Sequence, residues 1–406
     1  VTPIEVFQSV GPQLQALFNS NLVPQALLAL KEHPHTIAGL RDRIPGTSGS
    51  FYSVMQKMGK EGLIERENKE YALSNSGLFL SSKLEKLLNT INSTCQGRPA
   101  EIHPENEAHQ DRLALYHHHK KFFRWIFNSS LVLLILLSLH ERAKTRRELR
   151  DDTGSLSQNI RTRLRQMEQW RLVSEEGYAC ALTTEGFRIV SAIEELLHTY
   201  RVTVTYSEFW NRYSLNWVPP EFFDKIHEMH QVTINYDGSG YTNYVNYQTY
   251  LNILSTGEHV HGISPWITPE MADGVAKQAY KGTPVSMVFS PELALQIFRE
   301  YFSSNMNYLK AYPHVDFSVY PGPITFGLTV TDACLILKLP LKDDRSFDSA
   351  RIMGCGSPDA CRWSERIFNY YRRRSMPFMD FIAKESHGPT EDAGRTAHHS
   401  GTVPES

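Results

Sequence analysis

Apolar residues in the first two hundred positions recur at helical spacing. Phe51, Met55 and Met58, and later Ile160, Leu164 and Met167, stand at i, i+4, i+7, the signature of one helical face turned to a core. Both stripes belong to a pattern that the chain carries twice. Phe18-Asn19-Ser20 aligns with Phe127-Asn128-Ser129, Leu40-Arg41-Asp42 with Leu149-Arg150-Asp151, and Ala72-Leu73 with Ala181-Leu182, without a gap, at an offset of 127 − 18 = 109. A duplicated stretch of this length predicts one domain built twice. Each copy reads helix, helix, turn, helix and two short strands. These fall at about 21–32, 36–43, 48–60, 62–66 and 70–74, and again at about 130–141, 145–152, 157–169, 171–175 and 178–183. Thr36 and Thr145 stand where a hydroxyl caps the second helix. Three helices closed by a hairpin predict a winged helix-turn-helix, whose third helix lies in a DNA major groove. A longer amphipathic helix follows each copy, at about 76–92 and 184–200.

Beyond residue 220 the periodicity changes. Short β-branched runs at 232–236, 259–263, 284–289, 315–320, 325–330 and 335–339 alternate with helical ones at about 242–254, 269–281 and 291–310, and a last helix spans about 358–374. Such alternation implies crossovers and a largely parallel sheet, with hairpins among the last strands. Thr268-Pro269-Glu270, Ser290-Pro291-Glu292 and Ser357-Pro358-Asp359 read as hydroxyl caps followed by proline in the first helical position. The expected organisation is a first winged domain over 1–94, a linker over 95–122, a second winged domain over 123–204, an α/β domain over 205–378 and a disordered tail over 379–406.

Net charge adds little, since 42 basic residues face 44 acidic ones. A nucleic-acid site must therefore be a local patch. One is present in the second copy, where residues 141–171 hold nine Lys/Arg against five Asp/Glu. Its third helix offers Ser157, Gln158, Asn159, Arg161, Thr162, Arg163 and Arg165, with Arg146 and Arg147 just ahead. Arg, Gln and Asn make paired hydrogen bonds to base edges, and the basic residues neutralise phosphates. The first copy offers Ser48, Ser50, Tyr52, Ser53 and Lys57, a polar but thinly charged face. Glu65, Glu67, Glu70, Glu175 and Glu176 make both hairpins poor partners for phosphate, so the third helices are expected to dominate contact.

Five cysteines without a C-x-x-C pair fit a reducing cytoplasm. The most apolar run, Leu131–Leu139, is about half of what a bilayer span needs, so a soluble, cytoplasmic protein without a membrane partner is expected. His117-His118-His119 point in different directions on a helix and lack a ligand at the right spacing, so no metal and no cofactor is expected.

The C-terminal segment carries Phe209-Trp210-Asn211, Asn216-Trp217-Val218-Pro219, Gly262-Ile263-Ser264-Pro265, Lys281-Gly282-Thr283-Pro284-Val285 and Trp363-Ser364-Glu365-Arg366-Ile367-Phe368-Asn369-Tyr370-Tyr371-Arg372. Together these resemble the C-terminal domain of archaeal winged-helix regulators of the methanogen filamentation-regulator type, over about residues 205–376. The resemblance implies a sequence-specific transcription regulator with a ligand-sensing α/β domain similar to half of a phospholipase D-type fold. The family's layout has one winged helix, so the duplication here departs from it. Phospholipase D chemistry needs H-x-K-x4-D; His118 and His119 are followed by Lys120 and Lys121 but not by the Asp, and no catalytic residue is assigned.

The ends of parallel strands are where open α/β sheets place ligands. That points to Tyr236, Ser264, Trp266, Ser290 and Asp332, with Tyr241, Tyr244, Tyr247 and Tyr250 nearby. The resulting expectation is a transcription regulator that binds double-stranded DNA as a homodimer under control of a small-molecule effector. The alternative is a tandem winged-helix scaffold for protein partners, with no direct DNA reading.

Overall fold

The computed structural model describes residues 2–95, 112–229, 232–236, 251–252, 254–255, 257–302, 312–342 and 351–386. Helix α1 (Pro3–Phe18) opens at Thr2, whose hydroxyl accepts from the Glu5 N–H while the Glu5 carboxylate accepts from the Thr2 N–H, a reciprocal cap. Then come α2 (Leu22–Glu32), α3 (Ile37–Arg43), α4 (Ser48–Lys60), the hairpin β1 (Ile64–Glu67) and β2 (Glu70–Leu73), and α5 (Asn75–Cys95). The order repeats as α6 (Arg112–Phe127), α7 (Ser130–Glu141), the short β3 (Lys144–Thr145), α8 (Arg146–Thr153), α9 (Ser157–Gln169), the hairpin β4 (Val173–Glu176) and β5 (Ala179–Leu182), and α10 (Thr184–Thr203).

The duplication is larger than the sequence pattern suggested. α1 and α6 extend each unit at its N-terminal end, and the expected linker over 95–122 gives way to helix from Arg112. Leu113, Leu115, Tyr116, His119 and Phe122 of α6 are buried, so this stretch is core. Backbone detail repeats as well. Gly62 and Arg171 both take positive φ, as do Asn68 and Gly177 at the hairpin tips. Gly77 and Gly186 let the trailing helix cross the turn that follows the third helix. A Cβ on either would stand 2.0 Å from the carbonyl oxygen of Leu63 or Leu172.

One apolar core runs through both units, from Val6 to Val204. Phe18 meets Phe127 edge-on at 5.2 Å, Gln15 donates to the Phe127 carbonyl at 2.8 Å, and Ser130 donates to the Gln15 side-chain amide oxygen Oε1 at 2.8 Å. α5 lies along α10, burying Leu80, Leu84, Leu87 and Leu88 with Ile189, Ile193, Leu196 and Leu197. Within that seam Lys83, 1% exposed, pairs with Glu195 at 2.9 Å and Lys86 reaches the same carboxylate at 2.7 Å.

The C-terminal part comprises α11 (Ser207–Arg212), α12 (Pro220–Phe223), β6 (Thr233–Tyr236), β7 (Val260–Ser264), α13 (Pro269–Tyr280), β8 (Val285–Phe289), α14 (Pro291–Ile297), β9 (Val315–Val319), β10 (Gly327–Val330), β11 (Leu335–Lys338), β12 (Arg351–Cys355), α15 (Pro358–Arg372), β13 (Met376–Pro377) and α16 (Phe378–Ser386). Its eight strands run in the order β13-β9-β8-β7-β10-β11-β12-β6. Parallel pairing is confined to β7-β8-β9, and the other pairs are antiparallel. The largely parallel sheet read from the alternation is thus corrected to a mixed one. Helical crossovers link β7, β8 and β9, and β10 and β11 follow through short connections without helix. Thr268, Ser290 and Ser357 each accept the expected capping bond. α16 replaces the start of the tail expected from Met379, because Phe378, Phe381 and Ile382 bury against the sheet domain. The tyrosine-rich helix expected at 242–254 lies mostly outside the described residues.

The sheet domain is fastened to the first unit. Asn75 donates to the carbonyls of Trp210 and Tyr213 at 2.6 and 2.9 Å, Asn211 donates to the Gly62 carbonyl at 2.6 Å, and Lys342 pairs with Glu65 at 2.8 Å. Phe79 of α5 packs on Trp210 and Phe223, inside the C-terminal core.

Candidate nucleic-acid interface

α9 owes its orientation to Ile160, Leu164 and Met167, which are buried. That turns Ser157, Gln158, Asn159, Arg161, Thr162 and Arg165 to solvent. Leu156, at the cap position, offers no side-chain bond to the first N–H groups and is itself 74% exposed. Uncapped helix N-termini favour anions. Among the described residues Arg147, Arg161 and Arg165 make no ion pair. Other members of the basic window are occupied. Arg146 grips Glu175 with both carboxylate oxygens at 2.7 Å. The half-buried Arg163 donates to Gln166 at 2.9 Å. Lys144 is held between Glu141 and Asp152 at 2.9 and 2.7 Å. Thr162 bonds back to the Gln158 carbonyl at 3.0 Å. Glu148 caps α8 and meets Arg142 at 2.8 Å; the Thr145 N–H and Arg142 hold its carboxyl down to about 2.

α4 has the same frame and a different surface. Its N-terminus is closed by a reciprocal bond pair between Thr47 and Ser50. Ser48 accepts from Arg41 at 2.9 Å, and Lys57 reaches back to the Ala16 carbonyl. Tyr52, 60% exposed, and Ser53 face solvent beside a shallow hollow shared with Gln56 and Tyr71. The β1–β2 hairpin is tied through Glu65 to Lys342, whereas Tyr178 at the β4–β5 tip is 93% exposed.

In the sheet domain the residues expected at a ligand site do not all converge. Ser264 and Ser290 stand together at the ends of β7 and β8, where the Ser290 N–H donates to the Ser264 carbonyl at 3.4 Å. Both hydroxyls are engaged: Ser264 donates to the Trp266 carbonyl, and Ser290 caps α14. Trp266 lies at the same end, its ring against Gly327 and 6.0 Å from the Lys338 ammonium. Tyr236 ends β6 on the far edge strand. Asp332 is at the opposite end, where it accepts from the Glu258 N–H at 2.7 Å. An apolar cavity of ≈ 500 Å³ opens instead between α13 and the parallel strands, lined by Ala276, Tyr280, Met287, Phe289, Tyr301 and Phe317 among others. Strand-end reasoning missed it because its walls are ordinary core residues.

Sequence reading also missed a cluster on the other face of the sheet. His259, just ahead of β7, and His261, within it, both meet Glu365 of α15. An H-x-H in a strand places both rings on one face, which is the signal that was available. His119, by contrast, is buried against Asn92 at 3.1 Å, and burial pushes it down to about 4. Among the described residues no single helix is long and apolar enough to cross a membrane.

A duplicated helical unit with exposed arginines on one helix is thus joined to a sheet domain. The chain belongs to the family of the methanogenesis regulatory protein FilR1, whose N-terminal domain matches residues 12–92 and whose middle domain matches residues 244–374. The second unit lies between the two matches. No curated protein matches the chain. Among solved structures it is similar to TrmBL2, described as an archaeal chromatin protein with a novel mode of DNA binding, at 9% identity over 64% of this chain and 99% of that one, with a TM-score of 0.29. It is also similar to NucT from Helicobacter pylori (10% identity, 36% and 99% covered, TM-score 0.29) and to the phospholipase D family member Nuc from Salmonella typhimurium (8%, 36% and 96%, 0.27). Scores this low do not establish a shared fold.

Proposed function

We propose that the chain is a sequence-specific, DNA-binding transcription regulator in which the second unit is a winged helix-turn-helix and α9 its reading helix. The observation that carries this is the exposed row of Gln158, Asn159, Arg161 and Arg165 opposite the buried stripe of α9. Those side chains match purine edges in the major groove. The uncapped start of α9 and Arg147 suit the flanking phosphates. The first unit acts chiefly as the bracket between reader and sheet domain, because Ser48, Lys57 and Glu65 are tied to its own helices and to Lys342 while Tyr52 and Ser53 are left exposed.

The trailing helices, which pair subunits in dimeric arrangements, are spent on each other within one chain. A homodimer on DNA would then be joined through another surface. Effector control is assigned to the apolar cavity beneath α13, whose lining suits a largely hydrophobic small molecule. Binding there alters DNA affinity only if the ligand favours one arrangement of the domains.

The test is fluorescence anisotropy on operator DNA recovered by genomic mapping. Arg161→Ala and Arg165→Ala should each cost about 1–3 kcal/mol and reduce the salt dependence, while Lys57→Ala leaves affinity unchanged. Unaltered binding in the Arg161/Arg165 double variant would refute the assignment of α9.

A further inference from the structure

We propose that His259, His261 and Glu365 form a binding site for one divalent transition-metal ion of the zinc type, clamping the central strand of the sheet to α15. This goes beyond the DNA-reading proposal and stands independently of it.

The three residues come from two rigid elements. His261 lies in β7, which pairs with β8 on one side and β10 on the other, and His259 directly precedes it. The period of two along a strand sends both imidazoles to the same side, the side covered by α15. There Glu365 lies 3.1 Å from His259 Nε2 and 2.9 Å from His261 Nδ1. One nitrogen from each ring and one carboxylate oxygen all lie within 4.8 Å of one another. Ligands at about 2.0–2.1 Å around a tetrahedral ion stand roughly 3.3 Å apart. Both His–Glu365 distances are within a few tenths of an ångström of that spacing, and a small ion is seated once the two ring nitrogens, within 4.8 Å of each other, close on it.

The donor set is also chemically suited. Two imidazoles and one carboxylate make a ligand set typical of zinc, with a further position for water or an exogenous donor. The surroundings pre-orient it. The His261 ring stacks on Phe368 at 4.5 Å and 9°, Asn369 donates to the Glu365 carbonyl at 2.9 Å, and Asp332 fixes the backbone just ahead of His259 through the Glu258 N–H. Each ligand is half-buried, open enough for an ion to enter and enclosed enough to fix the rotamers.

The experiment uses the full chain, stripped with a chelator and titrated with Co²⁺ under visible absorption, then with Zn²⁺. One Co²⁺ per chain, with the intense bands of a four- or five-coordinate ion and displacement by one equivalent of Zn²⁺, is the expected result. His261→Ala and Glu365→Gln should each weaken binding by at least about tenfold, with thermal melting confirming that each variant folds. Glu365→Gln keeps the side-chain size should His261→Ala fail to fold. Long-range ¹H–¹⁵N spectra of the unaltered protein provide a check without substitution: the ring nitrogens of His259 and His261 should shift at one equivalent of Zn²⁺. A six-coordinate aquo spectrum throughout, or full-strength binding retained in Glu365→Gln and His261→Ala, would overturn the proposal and leave these residues as a hydrogen-bonded cluster.

Discussion

The first and second units share a frame and differ in what they are fastened to. Each keeps a glycine where the trailing helix crosses a carbonyl, at Gly77 and Gly186, and each has a left-handed residue at the turn after its third helix. The first unit has closed the start of α4 with Thr47 and Ser50, bonded Lys57 to Ala16 and handed its hairpin to Lys342. The second has left the start of α9 uncapped, with Arg161 and Arg165 outside any ion pair among the described residues. The contrast is one of surfaces on a common frame. Residues that make the frame stay alike, while surface residues divide into those that hold another domain and those that stay available to a partner.

The seam between the units gives the largest expected effect. Glu195→Ala leaves the buried Lys83 with only the Asp224 carbonyl and, at 3.9 Å, the Asp224 carboxylate and should lower stability by up to about 3 kcal/mol, measured by denaturant unfolding. A loss below about 1 kcal/mol, the level of a surface pair, would mean that the two units are not one cooperative body. Next, Gly77→Ala and Gly186→Ala should each cost about 1–3 kcal/mol through overpacking. Similar losses would confirm the common frame, and a harmless Gly186→Ala would break it.

A smaller effect separates the units at the equivalent turn. Arg171 holds positive φ, so Arg171→Gly should raise stability by about 1 kcal/mol. Gly62→Ala should lower it, since its Cβ would stand 2.6 Å from the Ser207 hydroxyl. Equal responses at the two positions would contradict the bracket role of the first unit. The smallest effect is in pH. Glu148 is held down to about 2, below its unfolded value of about 4.3. Its contribution is therefore complete above the unfolded value and lost as pH falls toward 2. Thermal melts of Glu148→Gln should show a shallower loss over that interval than the unaltered chain.

Much of the frame was legible in the sequence because local periodicity and caps decide it. The stripes Phe51–Met58 and Ile160–Met167 gave both third helices, and the three Ser/Thr-Pro pairs marked helix starts that the structure contains. α6 was not legible, because His117, His118, Lys120 and Lys121 dilute its apolar face. Strand order was hidden too, since β10 returns beside β7 without a crossover helix. In the candidate interface, residue types were readable but their engagement was not. Arg146 meets Glu175 across 29 residues, and His261 meets Glu365 across 104. Pairings of that reach are set by tertiary packing and leave no local trace.

The shared core from Val6 to Val204 has a genetic consequence. Where a reader is assembled from separate subunits, a defective copy can exchange into the working population and poison it. Here both units are encoded in one polypeptide and joined before any partner is met. If that joined pair is the form that binds an operator, occupancy rises with the first power of protein concentration. A loss-of-function allele would then act through dosage alone, without poisoning the intact copies.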